Sequence, residues 1–403
     1  YTFAALSNGS NHTFSVTVTD RAGNESDATT HVINVDTTKP DPPTVVFDVD
    51  GNDIILGSYT VGNDESGADV EHSSDGTNWT TDAVAFSAGV NTVYVRQIDL
   101  AGNISDPALL NFTYGTTGVD SLSGDASDNI LIGAEGDDTL EGKGGGDTLY
   151  GDGGNNTASY STAADPVTAS LTSPIPTDIV ISGEAIRHTY YNIHNLTGSA
   201  HDDHLIGDDG DNILHGGAGN GNDILEGMDG ADVLNGGAGG SNWASYEHAP
   251  AVAGSTGVSA SLADNSGNTG HASGDSYIYI QNLVGSAYDD TLSGDGSDNI
   301  LMGGAGADTL TGGSHTAQGD TASYDNATGE VWASLDSTLW DVQDLLGGEA
   351  AGDRFYSIEN LTGSAHDDTL RGNSEGNTLI GGGGNDELRG GGGDDRWGGG
   401  IGN

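Results

Sequence analysis

Through the last three quarters of the chain, leucine recurs with a period of nine residues, two places after an Asp or Asn and seven places after a glycine. One stretch runs Gly-Ala-Glu-Gly-Asp-Asp-Thr-Leu-Glu from Gly133, and the next runs Gly-Lys-Gly-Gly-Gly-Asp-Thr-Leu-Tyr from Gly142. The apolar position is held by Leu122, Leu131, Leu140, Leu149, Leu205, Leu214, Leu225, Leu234, Leu292, Leu301, Leu310, Leu370, Leu379 and Leu388. Two nonapeptides make one flattened coil of two short strands and two turns, so every second nonapeptide stacks on its predecessor at the strand spacing of about 4.8 Å. The pattern predicts an all-β fold, a parallel β-roll or β-solenoid, with position 8 inside and glycine supplying left-handed turns.

The first quarter has a different period. Phe14, Val16 and Val18 alternate with polar residues, a D-R-A-G-N turn follows at Asp20, and Val32, Ile33 and Val35 begin another strand. Val93 and Val95 lead into a second turn of this kind, D-L-A-G-N at Asp99, before Leu110 and Phe112. Alternation broken by Gly/Asn turns predicts hairpins, and the set resembles bacterial Ig-like β-sandwich modules. The expected organisation is the end of one such module over 1–39, a complete one over 40–114, and the solenoid over 115–403. Nonapeptide blocks are expected at about 115–160, 198–246, 285–324 and 363–403, joined by spacers. Each spacer runs from A-S-Y (Ala158, Ala244, Ala322) through V-x-A-S-L to I-x-N-L (Ile193, Ile280, Ile358), and its apolar alternation predicts β-structure stacked on the blocks.

Charge changes the picture. The 403 residues carry a formal net charge of -52, and residues 1–114 account for only 16 of the 61 acidic side chains. So acidic a chain with few apolar residues would ordinarily stay unfolded without a compensating cation. A nucleic-acid partner is excluded, since phosphate binding needs a basic surface. No apolar run reaches membrane-spanning length, so no membrane insertion is expected. Cysteine is absent, which removes disulfides and thiolate metal sites. The chain opens on Tyr1 and stops within a repeat, which suggests an internal fragment of a longer protein.

The acidic residues fall at one phase of the repeat. Counting the opening glycine as position 1, position 6 is Asp120, Asp138, Asp147, Asp203, Asp223, Asp232, Asp290, Asp308, Asp320, Asp368, Asp386 and Asp395. A carboxylate at each turn-to-strand corner would face glycine carbonyls of the stacked turn. Such an all-oxygen cage suits calcium, and several ions are expected. Position 6 is Asn at Asn129, Asn156, Asn212, Asn242, Asn299 and Asn377, where a turn-forming Asn without metal is an even alternative; Asp125, Asp208 and Asp295 could restore charge beside three of these.

On these residues the blocks resemble the repeats-in-toxin, or haemolysin-type calcium-binding, family. The resemblance covers residues 115–403 and implies type I secretion from a Gram-negative bacterium, an unfolded state at low cytosolic calcium, and folding outside the cell.

Competing motifs fail on context. His201 and His204 are Tyr288 and Thr291 in the equivalent block, so they read as surface residues rather than zinc ligands. Gly372-Asn-Ser374-Glu-Gly376 matches a nucleophile elbow but lies within a nonapeptide, with no helix to follow. The stretch from Asp48 to Asn52 starts like an EF-hand loop, with its glycine too early. Asp20 and Asp99 are expected to cap hairpin turns. The expectation is therefore no enzyme, but a calcium-binding structural region of a secreted or surface-attached protein, adhesin-like, and extracellular. A folding module of a secreted protease or lipase is one alternative. Another is a solenoid that binds glycan through Tyr190, Tyr191, Tyr277, Tyr279, Trp332 and Trp340.

Overall fold

The computed structural model describes residues 6–50, 53–177, 179–252, 256–316, 318–336 and 347–399. Trp340 lies outside them. Among the described residues every regular element is a β-strand or a single 3-10 turn, and no helix is long and apolar enough to cross a membrane. Contacts divide the chain into two units, Tyr1–Thr117 and Gly118–Asn403.

The first unit is antiparallel. Gly9–Val16 pairs with Thr29–Val35 in a hairpin that leaves Val16, Val18, Val32 and Ile33 exposed. Thr44–Asp50 pairs with Asp53–Gly62, and Gly89–Ile98 lies between Asp69–Ser73 and Ala108–Tyr114. These two sheets meet through aromatic edges: Phe112 lies 5.0 Å from Phe47 and 4.6 Å from Phe86, ring centroid to centroid. Val93 and Val95 are fully buried as their alternation requires. Among the described residues of 44–114 there are five strands, fewer than the roughly seven of an Ig constant domain. Both D-x-A-G-N turns are capped as expected: Oδ1 of Asp20 accepts from Ala22 and Asn24, and Oδ1 of Asp99 accepts from Ala101 and Asn103, all main-chain N–H groups. Asp48 accepts from the hydroxyls of Ser58 and Thr60 on the paired strand, which occupies its carboxylate.

The second unit is a stack of coils built from three-residue strands. Leu122 pairs in parallel with Leu140 and Leu131 with Leu149, each 18 residues on, so alternate nonapeptides occupy opposite sides of one coil. Longer turns stretch the step in places: Leu205 pairs with Leu225 and Leu301 with Ala322. The inward leucines form one continuous core in which Leu140, Leu205, Leu214, Leu225, Leu234, Leu292, Leu301, Leu310, Leu370 and Leu379 are fully buried.

The spacers belong to this core. Ala158, Ala244 and Ala322 of the A-S-Y strands stack directly under Leu196, Leu283 and Leu361 of the I-x-N-L strands, which carries one column through each spacer. On the other side the old column ends on an aromatic residue, Tyr190, Tyr277 or Phe355. A new column then starts from Ala169, Ala260 or Ala333 beneath Leu205, Leu292 or Leu370. Tyr160, Tyr246 and Tyr324 are buried in the spacer interiors.

Candidate metal centre

In the later turns of each block the position-6 side chain enters a ladder that runs along the stack. Its Oδ1 accepts the main-chain N–H of the position-6 residue one coil earlier: Asp120 donates to Asp138, Asn129 to Asp147, Asp203 to Asp223, Asn212 to Asp232, Asp290 to Asp308, Asn299 to Asp320, Asp368 to Asp386, and Asn377 to Asp395, at 2.7–3.1 Å. Asp and Asn therefore pair side by side as the period implies, with Asp over Asp on one side of the coil and Asn with Asp on the other.

The second oxygen separates two kinds of turn. In seven of the eight opening turns, the first two of each block, position 2 is Ser or Asx (it is Thr116 in the first turn of the first block), and its N–H donates to the position-6 side chain of the same turn: Ser199 to Asp203, Ser286 to Asp290, Ser364 to Asp368, Asp125 to Asn129, Asp208 to Asn212, Asp295 to Asn299, and Asn373 to Asn377. The Ser hydroxyls and the spacer N–H groups of Val167, Val258 and Val331 add further donors to Asp203, Asp290 and Asp368. In the later turns position 2 is left-handed, as at Ala134 (φ 77°), Lys143 (φ 67°), Met228 (φ 75°), Gly304 (φ 87°), Gly313 (φ 104°) and Gly382 (φ 89°). A positive φ swings that N–H away. The Oδ2 atoms of Asp138, Asp232, Asp308, Asp320 and Asp386 in five of these turns are buried with no hydrogen-bond partner, and that of Asp147 in the sixth is buried beside His188 Nε2 at 3.0 Å. Asp223 and Asp395 also sit behind left-handed glycines, Gly217 and Gly391.

Two Asn residues reveal what faces those oxygens. In the left-handed turns that end on Asn156 and Asn242, the amide nitrogen donates to main-chain carbonyls, at 3.2 Å to Asn192 and 3.0 Å to Tyr279. Where Asp replaces Asn, an oxygen takes the place of the donor. A β-carbon at Gly312 would collide at once with Asp320 Oδ2 and the Ser357 carbonyl, and one at Gly133 with Asp138 Oδ2 and the Gly151 carbonyl. Carboxylate and carbonyl oxygens thus converge on the cradle that glycine leaves open. Converging buried acceptors without a donor need a cation, and a hard-oxygen set suits calcium.

Electrostatics agree. Burial pushes the carboxyl of Asp308 up to about 8, with Asp353 adding repulsion; it pushes Asp232 to about 7, and Asp147, Asp223, Asp290 and Asp320 to about 6. Desolvation is the largest cause in each.

Some residues escaped the nine-residue reading. Position-5 carboxylates form an outer ladder of opposite direction: Oδ1 of Asp128, Asp137, Asp202, Asp211, Asp289, Asp298 and Asp367 accepts the position-5 N–H one coil later. Spacer residues also take the position-6 role. Asp275 accepts the N–H of Asp232, Asp353 that of Asp308, Gln281 that of Asn242 and Glu359 that of Asp320. The signal was present, because Asp275, Asp353 and Glu359 each stand two residues before an inward Tyr, Phe or Leu, repeating the Asp-x-Leu spacing of the blocks.

The residues offered for glycan differ in burial. Tyr190 and Tyr277 pack on the core, their hydroxyls against those of Tyr160 and Tyr246. Tyr191 stacks on Tyr150 at 4.6 Å, while Tyr279 and Trp332 are exposed. His201 is exposed, and Ser374 lies in an exposed turn.

The RTX calcium-binding nonapeptide repeat family (4 copies) matches residues 114–149, 133–159, 195–221, 218–240, 280–314 and 361–403. The blocks are RTX repeats. The matched segments fall in all four blocks but stop before Asn242 in the second and before Asp320 in the third, and they leave the central parts of the spacers and residues 1–113 unmatched. No curated protein matches the chain.

Proposed function

We propose that calcium ions bound in the left-handed turns of the RTX blocks drive folding of residues 118–403, and that the folded solenoid stiffens a secreted or surface-attached, adhesin-like protein. The observation that carries this reading is the row of buried, unpartnered Oδ2 atoms of Asp138, Asp232, Asp308, Asp320 and Asp386. Those five carboxylates would hold the ions together with carbonyls of the glycine turns, with Asp147 beside His188 as a sixth ligand, and calcium supplies the positive charge that the ladder lacks. Asp203, Asp290 and Asp368 already accept N–H and O–H donors and would act as the anchored ends of each block. With 45 acidic and 6 basic residues in 115–403, the unneutralised chain repels itself. Binding free energy then becomes folding free energy, so folding waits for a calcium-rich compartment such as the exterior of a cell. The first unit is read as Ig-like. Circular dichroism during a calcium titration tests the proposal: β-signal should rise cooperatively with calcium and poorly with magnesium, whose octahedral demand at about 2.0–2.1 Å fits a sheet-spaced cage badly. A complete β-spectrum in chelator at pH 7.5, unchanged by calcium, would overturn it.

A further inference from the structure

The third block departs from the others in the turn that ends on Asp320. Gly312 to Asp320 is three residues longer than the regular turn Gly303 to Asp308. The extra segment is tied down by Asp298, whose carboxylate accepts from Thr316 N, Thr316 Oγ1, Gln318 N and Gly319 N at 2.6–3.2 Å. That anchoring holds His315 over the end of the ladder. One donor atom from each of His315, Asp320 and Glu359 lies within 4.8 Å of the others, and His315 Nδ1 is 3.1 Å from Glu359 Oε2.

The two other spacers show what this position otherwise holds. Their residues equivalent to Asp320 and Glu359 are Asn156 with His194 and Asn242 with Gln281, so neither carries a carboxylate pair. There the Asn amide donates to the carbonyl of Asn192 or Tyr279. At the third spacer the corresponding Ser357 carbonyl and Asp320 Oδ2 both face Gly312, and Asp320 Oδ2 is buried with no donor. Two carboxylates and an imidazole therefore converge beside that carbonyl where the continuous column passes through the third spacer.

We propose that His315, Asp320 and Glu359 form a separate site for a borderline divalent transition ion, zinc first, distinct in chemistry from the calcium turns. An imidazole nitrogen is a poor ligand for calcium but a preferred one for zinc, which accepts mixed nitrogen and carboxylate donors at about 2.0–2.2 Å. Closing donors now within 4.8 Å onto one ion needs only a small movement, and the exposed His315 side chain is free to make it. Zinc would neutralise the Asp320 and Glu359 carboxylates that stack at this point of the column. The proposal shares Asp320 with the calcium reading but stands apart from it in the His315 ligand.

The test uses the full chain in saturating calcium, with zinc chloride titrated against a competing chromogenic chelator. One zinc site per chain is expected to persist in calcium. His315→Ala should weaken it at least about tenfold, on the scale of losing a metal-site contact, while leaving the calcium-induced circular dichroism unchanged. Glu359→Gln should do the same, and its fold is safe because Gln281 accepts the equivalent N–H. His201→Ala serves as the control for the chain's other exposed histidines and should change nothing. Superimposable zinc isotherms for the wild-type and His315→Ala chains, meaning an adventitious ion only, would overturn the proposal. So would full displacement of zinc by calcium. Failure of calcium-induced folding with zinc binding intact would sink the calcium reading and leave this site standing.

Discussion

The main-chain N–H of Asp290 donates to Oδ1 of Asp308 at 2.8 Å, one coil further along the stack, while Oδ2 of Asp308 is buried with no partner. One carboxylate is thus half satisfied by the fold and half left for something the chain does not supply. The same division recurs at Asp138, Asp232, Asp320 and Asp386.

A pH dependence follows, and its sign is unusual for carboxylates. Burial raises the folded-state values of Asp308 (about 8), Asp232 (about 7) and Asp147, Asp223, Asp290 and Asp320 (about 6) above their unfolded value. Their stabilising contribution is complete below about pH 4, the unfolded value, and is lost as pH rises through 6 to 8. In chelator, acidification from pH 8 to about 4.5 should therefore promote β-structure. Asp125 and Asp298, lowered by hydrogen bonds, oppose this only weakly because they are exposed. In calcium the order reverses, since protons compete for the same oxygens, and the calcium midpoint should rise as pH falls. A calcium-free β-signal that weakens from pH 8 to 4.5 would refute this account.

Turn geometry makes a second prediction. Gly304 has φ 87°, and a β-carbon there would collide with the Ser286 carbonyl. Gly304→Ala should cost about 1–3 kcal/mol from left-handed strain and that contact. Gly296, with only Ser314 Oγ at 3.7 Å, should accept alanine within about 0.5 kcal/mol. Urea denaturation in saturating calcium compares the two, and equal losses would count against the geometry.

The repeat was legible because its period is mechanical: Leu140 is buried wherever a coil of two nonapeptides stacks, whatever the turns contain. The position-6 register was legible for the same reason. What the nine-residue template hid was the division of turns, since it treats Ser199 and Ala134 as the same unconstrained position 2. The N–H of one reaches its carboxylate, and the φ of the other prevents it. Asp275, Asp353 and Glu359 were missed because they lie in spacers outside the glycine phase. The fates of Tyr190 and Tyr277 depend on column ends, which only the stacking order defines.

Spacer tyrosines give a third prediction. The hydroxyl of Tyr246 donates to Asp275 Oδ2 at 2.8 Å and that of Tyr324 to Asp353 Oδ2 at 2.6 Å, both in buried surroundings. Tyr→Phe at either position strands a buried carboxylate oxygen and should cost about 1–3 kcal/mol. Tyr160 faces His188 and Tyr190 instead of a carboxylate, so Tyr160→Phe should cost less. Chemical denaturation of the three variants would settle the order, and a Tyr160→Phe loss equal to the others would contradict it.

The last prediction concerns Asp308 and Asp320, which lie on opposite sides of the same block. Asp308 stacks with Asp290 and Asp353, two further carboxylates, whereas Asp320 stacks with Asn299 and Glu359. Asn156 and Asn242 demonstrate that an amide at position 6 of a left-handed turn satisfies itself by donating to carbonyls. Asp308→Asn should accordingly have opposite effects in two conditions. In chelator at pH 7.5 it removes a buried charge among like charges and should stabilise the fold, by more than Asp320→Asn does. In saturating calcium it removes a ligand from the more acidic side, lowers the number of bound ions by one, and should raise the calcium midpoint more than Asp320→Asn does, because Coulomb attraction grows with the ligand charge around the ion. Thermal melts in both conditions, with ion counts from equilibrium dialysis, decide the matter. Asp308→Asn acting in the same direction with and without calcium would show that its carboxylate is not held for a cation.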